Sequence, residues 1–209
     1  MKNLKAILLA FIIYALFFSI LNAQTNQIGL DIGYGLTNSI DKDGGYYLPN
    51  YKDIDNYYRL GFMYYCKPEK KNFHLLSGIN LDYNSEGNIN LAYVRLPLGI
   101  ESGFKNNPHF VYGGGFFFSR LIYYDGIDDY SAFEESLSRN QFGIFGNFGL
   151  EYQISPKYIA GISFQSNVDI TKLYEEYTSS PGGTPYVIRK GKGMDIFFKM
   201  NLKYRFMNK

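Results

Sequence analysis

Apolar and polar positions alternate with a period of two along the last stretch of the chain, residues 193–206. Met194, Ile196, Phe198, Met200, Leu202, Tyr204 and Phe206 share one parity. Asp195, Lys199, Asn201, Lys203 and Arg205 share the other, with Phe197 as its apolar exception. Successive side chains of a strand point to opposite faces, so this period predicts a β-strand with one apolar and one polar face. At ~3.3 Å per residue such a strand is long enough to cross a bilayer at a tilt.

Seven earlier stretches carry related patterns. The first, about 27–38, sets Ile28, Leu30, Ile32, Tyr34 and Leu36 against Gly29, Asp31, Gly33 and Gly35. The second, about 57–66, sets Tyr58, Leu60, Phe62 and Tyr64 against Arg59, Gly61 and Met63. The third, about 73–84, sets Leu75, Ile79, Leu81 and Tyr83 against His74, Gly78, Asn80 and Asp82. The fourth, about 90–104, sets Ala92, Val94, Leu96, Leu98 and Ile100 against Tyr93, Arg95, Pro97, Gly99 and Glu101. The fifth, about 109–124, is apolar on both parities, so its faces stay unassigned; its Gly113-Gly114-Gly115 predicts a bulge or sharp curvature. The sixth, about 140–153, sets Phe142, Ile144, Phe148, Leu150 and Tyr152 against Gly143, Asn147, Gly149, Glu151 and Gln153. The seventh, about 157–169, carries Tyr158, Ala160, Ile162 and Phe164 on one face. Together with 193–206 they predict an all-β fold, an eight-stranded antiparallel up-and-down transmembrane β-barrel whose last strand closes against the first.

The connections support this order. Long ones cover 39–56, 125–139 and 170–191; short ones are KPEKKN, KNNPH and the turn at Ser155-Pro156, and both termini lie on their side. Outer-membrane barrels have short periplasmic turns and longer outside loops. Only SEGNIN, residues 85–90, is shorter than that pattern prefers. Pro49, Pro68, Pro108, Pro156, Pro181 and Pro185 are placed between strands, whereas Pro97 interrupts the fourth and predicts a bulge or irregularity there.

Residues 1–23 read as a secretory signal peptide: Lys2 and Lys5, an apolar run from Leu4 to Leu21, then Asn22-Ala23-Gln24 with cleavage expected after Ala23. An uncleaved anchor helix is the competing reading. Residues 24–209 form the barrel domain, of a size for one domain. Its 21 Tyr, 18 Phe and 22 Gly suit strands and turns. Mean hydropathy is −0.21, as alternation halves the apolar content of each strand. The formal charge of +2 (21 basic, 19 acidic) falls to zero without Lys2 and Lys5, so nothing points to nucleic acid. Cys66 shares the parity of Leu60, Phe62 and Tyr64 and reads as a small apolar wall residue.

Period alone does not say whether the apolar face meets lipid or a ligand cavity, and a soluble periplasmic lipocalin-like barrel would alternate in the same way. Two features favour lipid. The other face is rich in glycine, and it carries acids (Asp31, Asp82, Glu101, Glu151, Asp195) and bases (Arg59, Arg95, Lys199, Lys203, Arg205) in equal number. Such charges can pair in a packed interior, where an unpaired one is costly. An eight-stranded lumen is filled by side chains or holds one small ligand, which argues against a diffusion pore. Tyr57, Tyr58, Tyr83, Tyr123, Tyr124, Tyr152, Tyr158 and Tyr204, near strand ends, fit interfacial girdles.

Three segments carry a family resemblance: NAQ at 22–24, YVRLPLGIE at 93–101 and FGLEYQISPKYIAGISF at 148–164. The chain resembles the small outer-membrane β-barrel family common in Bacteroidota, which includes the PorT-like proteins and is similar in architecture to the OmpX and OmpA barrels. The terminal aromatic strand resembles the signal read by the barrel-assembly machinery, although Met207, Asn208 and Lys209 follow Phe206. The resemblance implies an outer-membrane location, lipid and assembly machinery as partners and, through its PorT-like members, a role in the type IX secretion apparatus; a stand-alone structural or surface-interaction barrel is the default reading beside it.

Candidate chemistry is sparse. A lipid-modifying enzyme needs a nucleophile with a base in reach. His74 has Ser77 on the opposite face, and His109 sits beside Pro108, so neither forms a same-face His-x-Ser pair. Asp125, Asp128, Asp129, Glu134 and Glu135 do not match a calcium loop and read as a solvated acidic segment. The expectation is a non-enzymatic protein with no catalytic, metal or cofactor residues. The Tyr-rich loops GGYYLPNYKDIDNYY and YEEYTSSPGGTPY offer surfaces to a protein partner outside the cell.

Overall fold

A computed structural model describes residues 23–43, 46–49, 55–68, 71–86, 89–104, 108–125, 139–171, 174–178 and 186–206. The leader (1–22), the loop acids Asp128, Asp129, Glu134 and Glu135, Pro181, Pro185 and the tail 207–209 lie outside the described residues.

The described residues form β1 (Ala23–Asp43), β2 (Tyr46–Pro49), β3 (Asp55–Pro68), β4 (Phe73–Glu86), β5 (Ile89–Gly103), β6 (His109–Asp125), β7 (Asn140–Gln153), β8 (Tyr158–Asp169), β9 (Tyr174–Thr178) and β10 (Tyr186–Phe206). Eight of them pair antiparallel in the order β1-β3-β4-β5-β6-β7-β8-β10, and β10 returns to β1. The fold is a closed eight-stranded antiparallel barrel. The seam runs from Asn26 opposite Phe206 to Asp41 opposite Gly191. Closure leaves no open edge along the barrel wall.

Two short strands lie inside segments expected to be loops. β2 pairs with the end of β1 (Ile40 opposite Pro49), and β9 pairs with the start of β10 (Gly191 opposite Tyr174). With the upper parts of β1 and β10 they extend the wall as the order β2-β1-β10-β9. The expected long connections 39–56 and 170–191 are shorter for that reason. On the same side, within SEGNIN, β4 ends at Glu86, which pairs with Ile89 at the start of β5.

Parity sorts the two faces. Leu30, Ile32, Leu60, Phe62, Ile79, Leu81, Phe148, Ile162, Phe164, Met200 and Leu202 are all exposed, forming an apolar belt. Tyrosines border it. Tyr34, Tyr58 and Tyr83 lie opposite one another across β1, β3 and β4, with ring centroids 5.3 and 6.3 Å apart. At the other end Tyr158 and Tyr204 meet at 5.4 Å. Six residues separate Tyr34 from Ile28, the partner of Tyr204, which spans about 20 Å along a strand. Tyr57 departs from the expected girdle: it is fully buried and stacks on Phe197 at 5.0 Å. Its parity is that of Arg59, so it points inward.

β6 now has faces. Val111, Phe117 and Ser119 are buried, while Phe110, Tyr112, Phe116 and Phe118 are exposed. The glycine triplet causes no bulge, since Glu101, Ile100 and Gly99 pair in register with Gly113, Gly114 and Gly115. The shift lies farther up, where Ala92 and Tyr93 face Tyr123 and Leu121 and Ile122 is the extra residue. At Pro97 the β4–β5 pairing is interrupted between Ser77–Leu98 and Asn80–Arg95 without a change of register. A missing N–H removes a ladder bond but inserts no residue, so an irregularity and not a bulge results.

Inward glycines receive the aromatic rings of neighbouring strands. A Cβ on Gly143 would lie 2.2 Å from Cζ of Phe117, and one on Gly99 would lie 2.8 Å from Cζ of Phe145. At the seam a Cβ on Gly35 would lie 2.2 Å from the Ile196 carbonyl oxygen and 2.3 Å from Cβ of Phe197. Gly35→Ala is therefore expected to destabilise the barrel by about 1–3 kcal/mol through overpacking. Gly146 faces outward with nothing within 4 Å of an added Cβ, so Gly146→Ala should change stability by less than about 0.5 kcal/mol. Urea unfolding of both variants in lipid vesicles checks the pair, and equal effects would contradict the packing.

Candidate functional site in the barrel interior

The inner face brings the charges of six strands into layers. In the layer toward the long connections, Arg59 donates to both carboxylate oxygens of Asp82, from Nε at 2.7 Å and Nη2 at 2.8 Å. Arg95 pairs with Asp82 at 3.1 Å and with Asp195 at 2.8 Å. Asp195 also accepts from Thr37 Oγ1 at 2.8 Å and Asn167 Nδ2 at 3.1 Å. Arg59 lies 4.3 Å from the Phe197 ring centroid and Arg95 4.3 Å from that of Phe117, so each guanidinium covers an aromatic face.

Below it the lumen turns apolar. Met63, Tyr65, Leu76, Phe117 and Phe145 form one buried cluster, with the Lys199–Asp31 pair at 3.1 Å on its flank. The third layer centres on Lys203. Its Nζ meets Glu101 Oε1 at 2.5 Å and Glu151 Oε1 at 2.6 Å, and lies 3.8 Å from the Tyr65 ring centroid. Asn147 Nδ2 donates to Glu101 at 3.2 Å, and His109 Nε2 stands 3.3 Å from Glu151.

Of the ten charges expected on this face, all five acids and four of the bases meet in these ion pairs. Arg205, the fifth base, has no ion pair to an acid among the described residues and stands at the mouth of a cavity. Sequence reading missed Asp169, which is buried in the upper layer on the parity of Gln165 and Asn167. That parity was the available signal. His109 opens β6 and points inward, so it belongs to the interior and not to a turn.

The cavity holds about 710 Å³ and opens at the end of the barrel where β1 begins and β10 ends. Lys203 and Glu101 form its floor, and His74, His109, Lys67 and Arg205 stand on its walls. The two histidines meet an amide and a carboxylate: Gln27 Nε2 donates to His74 at 3.4 Å, and Glu151 faces His109. Cys66, expected on the apolar wall, is buried at the end of β3. Among the described residues no three His, Cys, Asp or Glu side chains converge as metal ligands would.

No family model matches the chain, and no curated protein matches it. Among solved structures it is similar to the outer membrane protein OprG from Pseudomonas aeruginosa, at 11% identity and a TM-score of 0.51, over 90% of this chain and 98% of that one. It is also similar to the outer membrane protein AlkL, seen in DMPC lipid bilayers, at 12% identity and a TM-score of 0.49, over 89% of this chain and 92% of that one. Ail, the attachment invasion locus protein of Yersinia pestis, matches at 12% identity and a TM-score of 0.37, over 87% of this chain and 99% of that one. The likeness to OprG shows the fold. The exposed apolar belt supplies the rest of the assignment: a surface of Leu, Ile, Phe and Met bordered by tyrosines belongs in hydrocarbon. The chain is an outer-membrane β-barrel, and by the rule that periplasmic turns are the short ones, the end that holds the start of β1 and the end of β10 reads as the periplasmic end.

Proposed function

We propose that this protein is a non-enzymatic structural or surface-interaction barrel that carries no diffusion pore. The observation that supports this reading is the blocked lumen. Arg59, Asp82, Arg95 and Asp195 tie four strands together across the upper interior, and Phe117, Phe145, Tyr65, Met63 and Leu76 fill the level beneath. The cavity stops at Lys203. Action then falls to the surfaces, and among the described residues the β2-β1-β10-β9 extension on the outer side offers one to a protein partner. Reconstituted in planar bilayers, the protein should give no steady single-channel conductance, and stable ohmic steps would defeat the reading. Deleting the connection between β1 and β3 should leave assembly intact and abolish binding at the cell surface.

A more specific partner is favoured by the PorT-like resemblance at residues 93–101 and 148–164: the type IX secretion apparatus. Gene deletion should then stop export of many proteins, and unaltered export would reject that role.

A further inference from the structure

The periplasm-side cavity has the size of small-molecule sites, which run about 300–1,000 Å³. Its charges are arranged unevenly with depth. The two acids at the floor are already supplied with donors: Glu101 by Lys203 and Asn147, Glu151 by Lys203 and His109. The bases nearer the mouth, Lys67 and Arg205, make no ion pair with an acid among the described residues, yet both line the cavity and are half-buried. His74 lines the same cavity, where the positive charges of Lys203, Lys67 and Arg205 act on it against the negative charge of Glu151. Val111 and Phe104 give an apolar wall, and Ile159 adds a further apolar contact beyond Glu151 and Gln153 of β7. Satisfied acids below and unmatched cations above leave a concave site with a net positive potential, and low-dielectric walls strengthen such a field.

We propose that this cavity is a binding site for a small anionic ligand, one bearing a carboxylate or phosphate, entering from the periplasmic side. Lys67 and Arg205 hold the anionic group, with a guanidinium fork suited to two of its oxygens. His74, already engaged by Gln27 through Nε2 at 3.4 Å, adds its other ring nitrogen as a donor toward the space. The apolar wall accommodates the body of the ligand. The site does not depend on whether the lumen conducts, so it stands or falls separately from the blocked-pore reading.

The test uses the full barrel in phosphatidylcholine nanodiscs, with histidine ring NMR signals as the readout and inorganic phosphate as the probe. The signals of His74 should move saturably with phosphate and not with sodium chloride at equal ionic strength. Lys67→Gln/Arg205→Gln should weaken that response at least tenfold while keeping the heat-modifiable mobility of the folded barrel. Nanodiscs containing phosphatidylglycerol separate two sources of the anion. A His74 signal already shifted there without phosphate, and restored by the double variant, identifies a lipid headgroup as occupant. A shift equal to that in sodium chloride, or one that the double variant leaves unchanged, overturns the proposal.

Discussion

Replacing Asp82 with leucine should be among the most damaging single changes in this barrel, costing about 3–5 kcal/mol, the range for removing one member of a buried ion pair. The carboxylate accepts two hydrogen bonds from Arg59 and stands 3.1 Å from Arg95, and its side chain is fully buried. Its loss strands Arg59, whose remaining polar contact is the hydroxyl of Tyr57, while Arg95 keeps Asp195. The penalty comes from the uncompensated guanidinium and not from the lost attraction as such. A second substitution that removes the guanidinium should therefore recover much of the loss, and Arg59→Met/Asp82→Leu should be more stable than Asp82→Leu alone. Urea titration in vesicles measures both. If Asp82→Leu unfolded within about 1 kcal/mol of the parent, or if the double variant were the worse of the two, the upper layer would be hydrated instead of dry.

That layer also shows how much the sequence could disclose. Alternation placed Asp82, Arg59, Arg95 and Asp195 on one face, and closure of eight strands brings that face into a small lumen where charges must pair. Which acid meets which base depends on register and barrel stagger, and neither leaves a mark in a single strand. The pattern was silent in β6 for a physical reason. Phe117 is apolar and inward because Gly143 on the next strand leaves room for its ring, so both parities of β6 look alike. Tyr57 misled for a related reason: tyrosine suits a bilayer interface and also a buried site where its hydroxyl meets an arginine. β2 and β9 were not legible because strands beyond the bilayer need no apolar face and so leave no sustained period of two in the sequence. The cavity at the periplasmic end was illegible too. Its lining comes from several strands and two short turns, and only its histidines drew attention, without their partners Gln27 and Glu151 being legible.

Met200→Arg should destabilise the barrel by about 2–4 kcal/mol, the cost of a cation on the lipid face near the bilayer midplane. Met200 is 57% exposed and lies on the seam strand β10, opposite Ile32 of β1 and Ile162 of β8, in the middle of the apolar belt. One residue earlier, Lys199 is tolerated because the pleat turns it inward, where Asp31 meets it at 3.1 Å. The two positions share a strand and nearly the same depth, so they differ in solvent and not in backbone. Met200→Leu, which keeps volume and polarity, should change stability by less than about 1.5 kcal/mol. The measurement is urea unfolding in vesicles, and in detergent micelles for comparison. Water and headgroups reach a micelle-bound belt more easily, so the arginine penalty should shrink there. An arginine variant as stable in vesicles as the leucine variant would mean that this face does not meet hydrocarbon. The membrane assignment would then fail, and a soluble barrel with an apolar exterior patch would have to replace it.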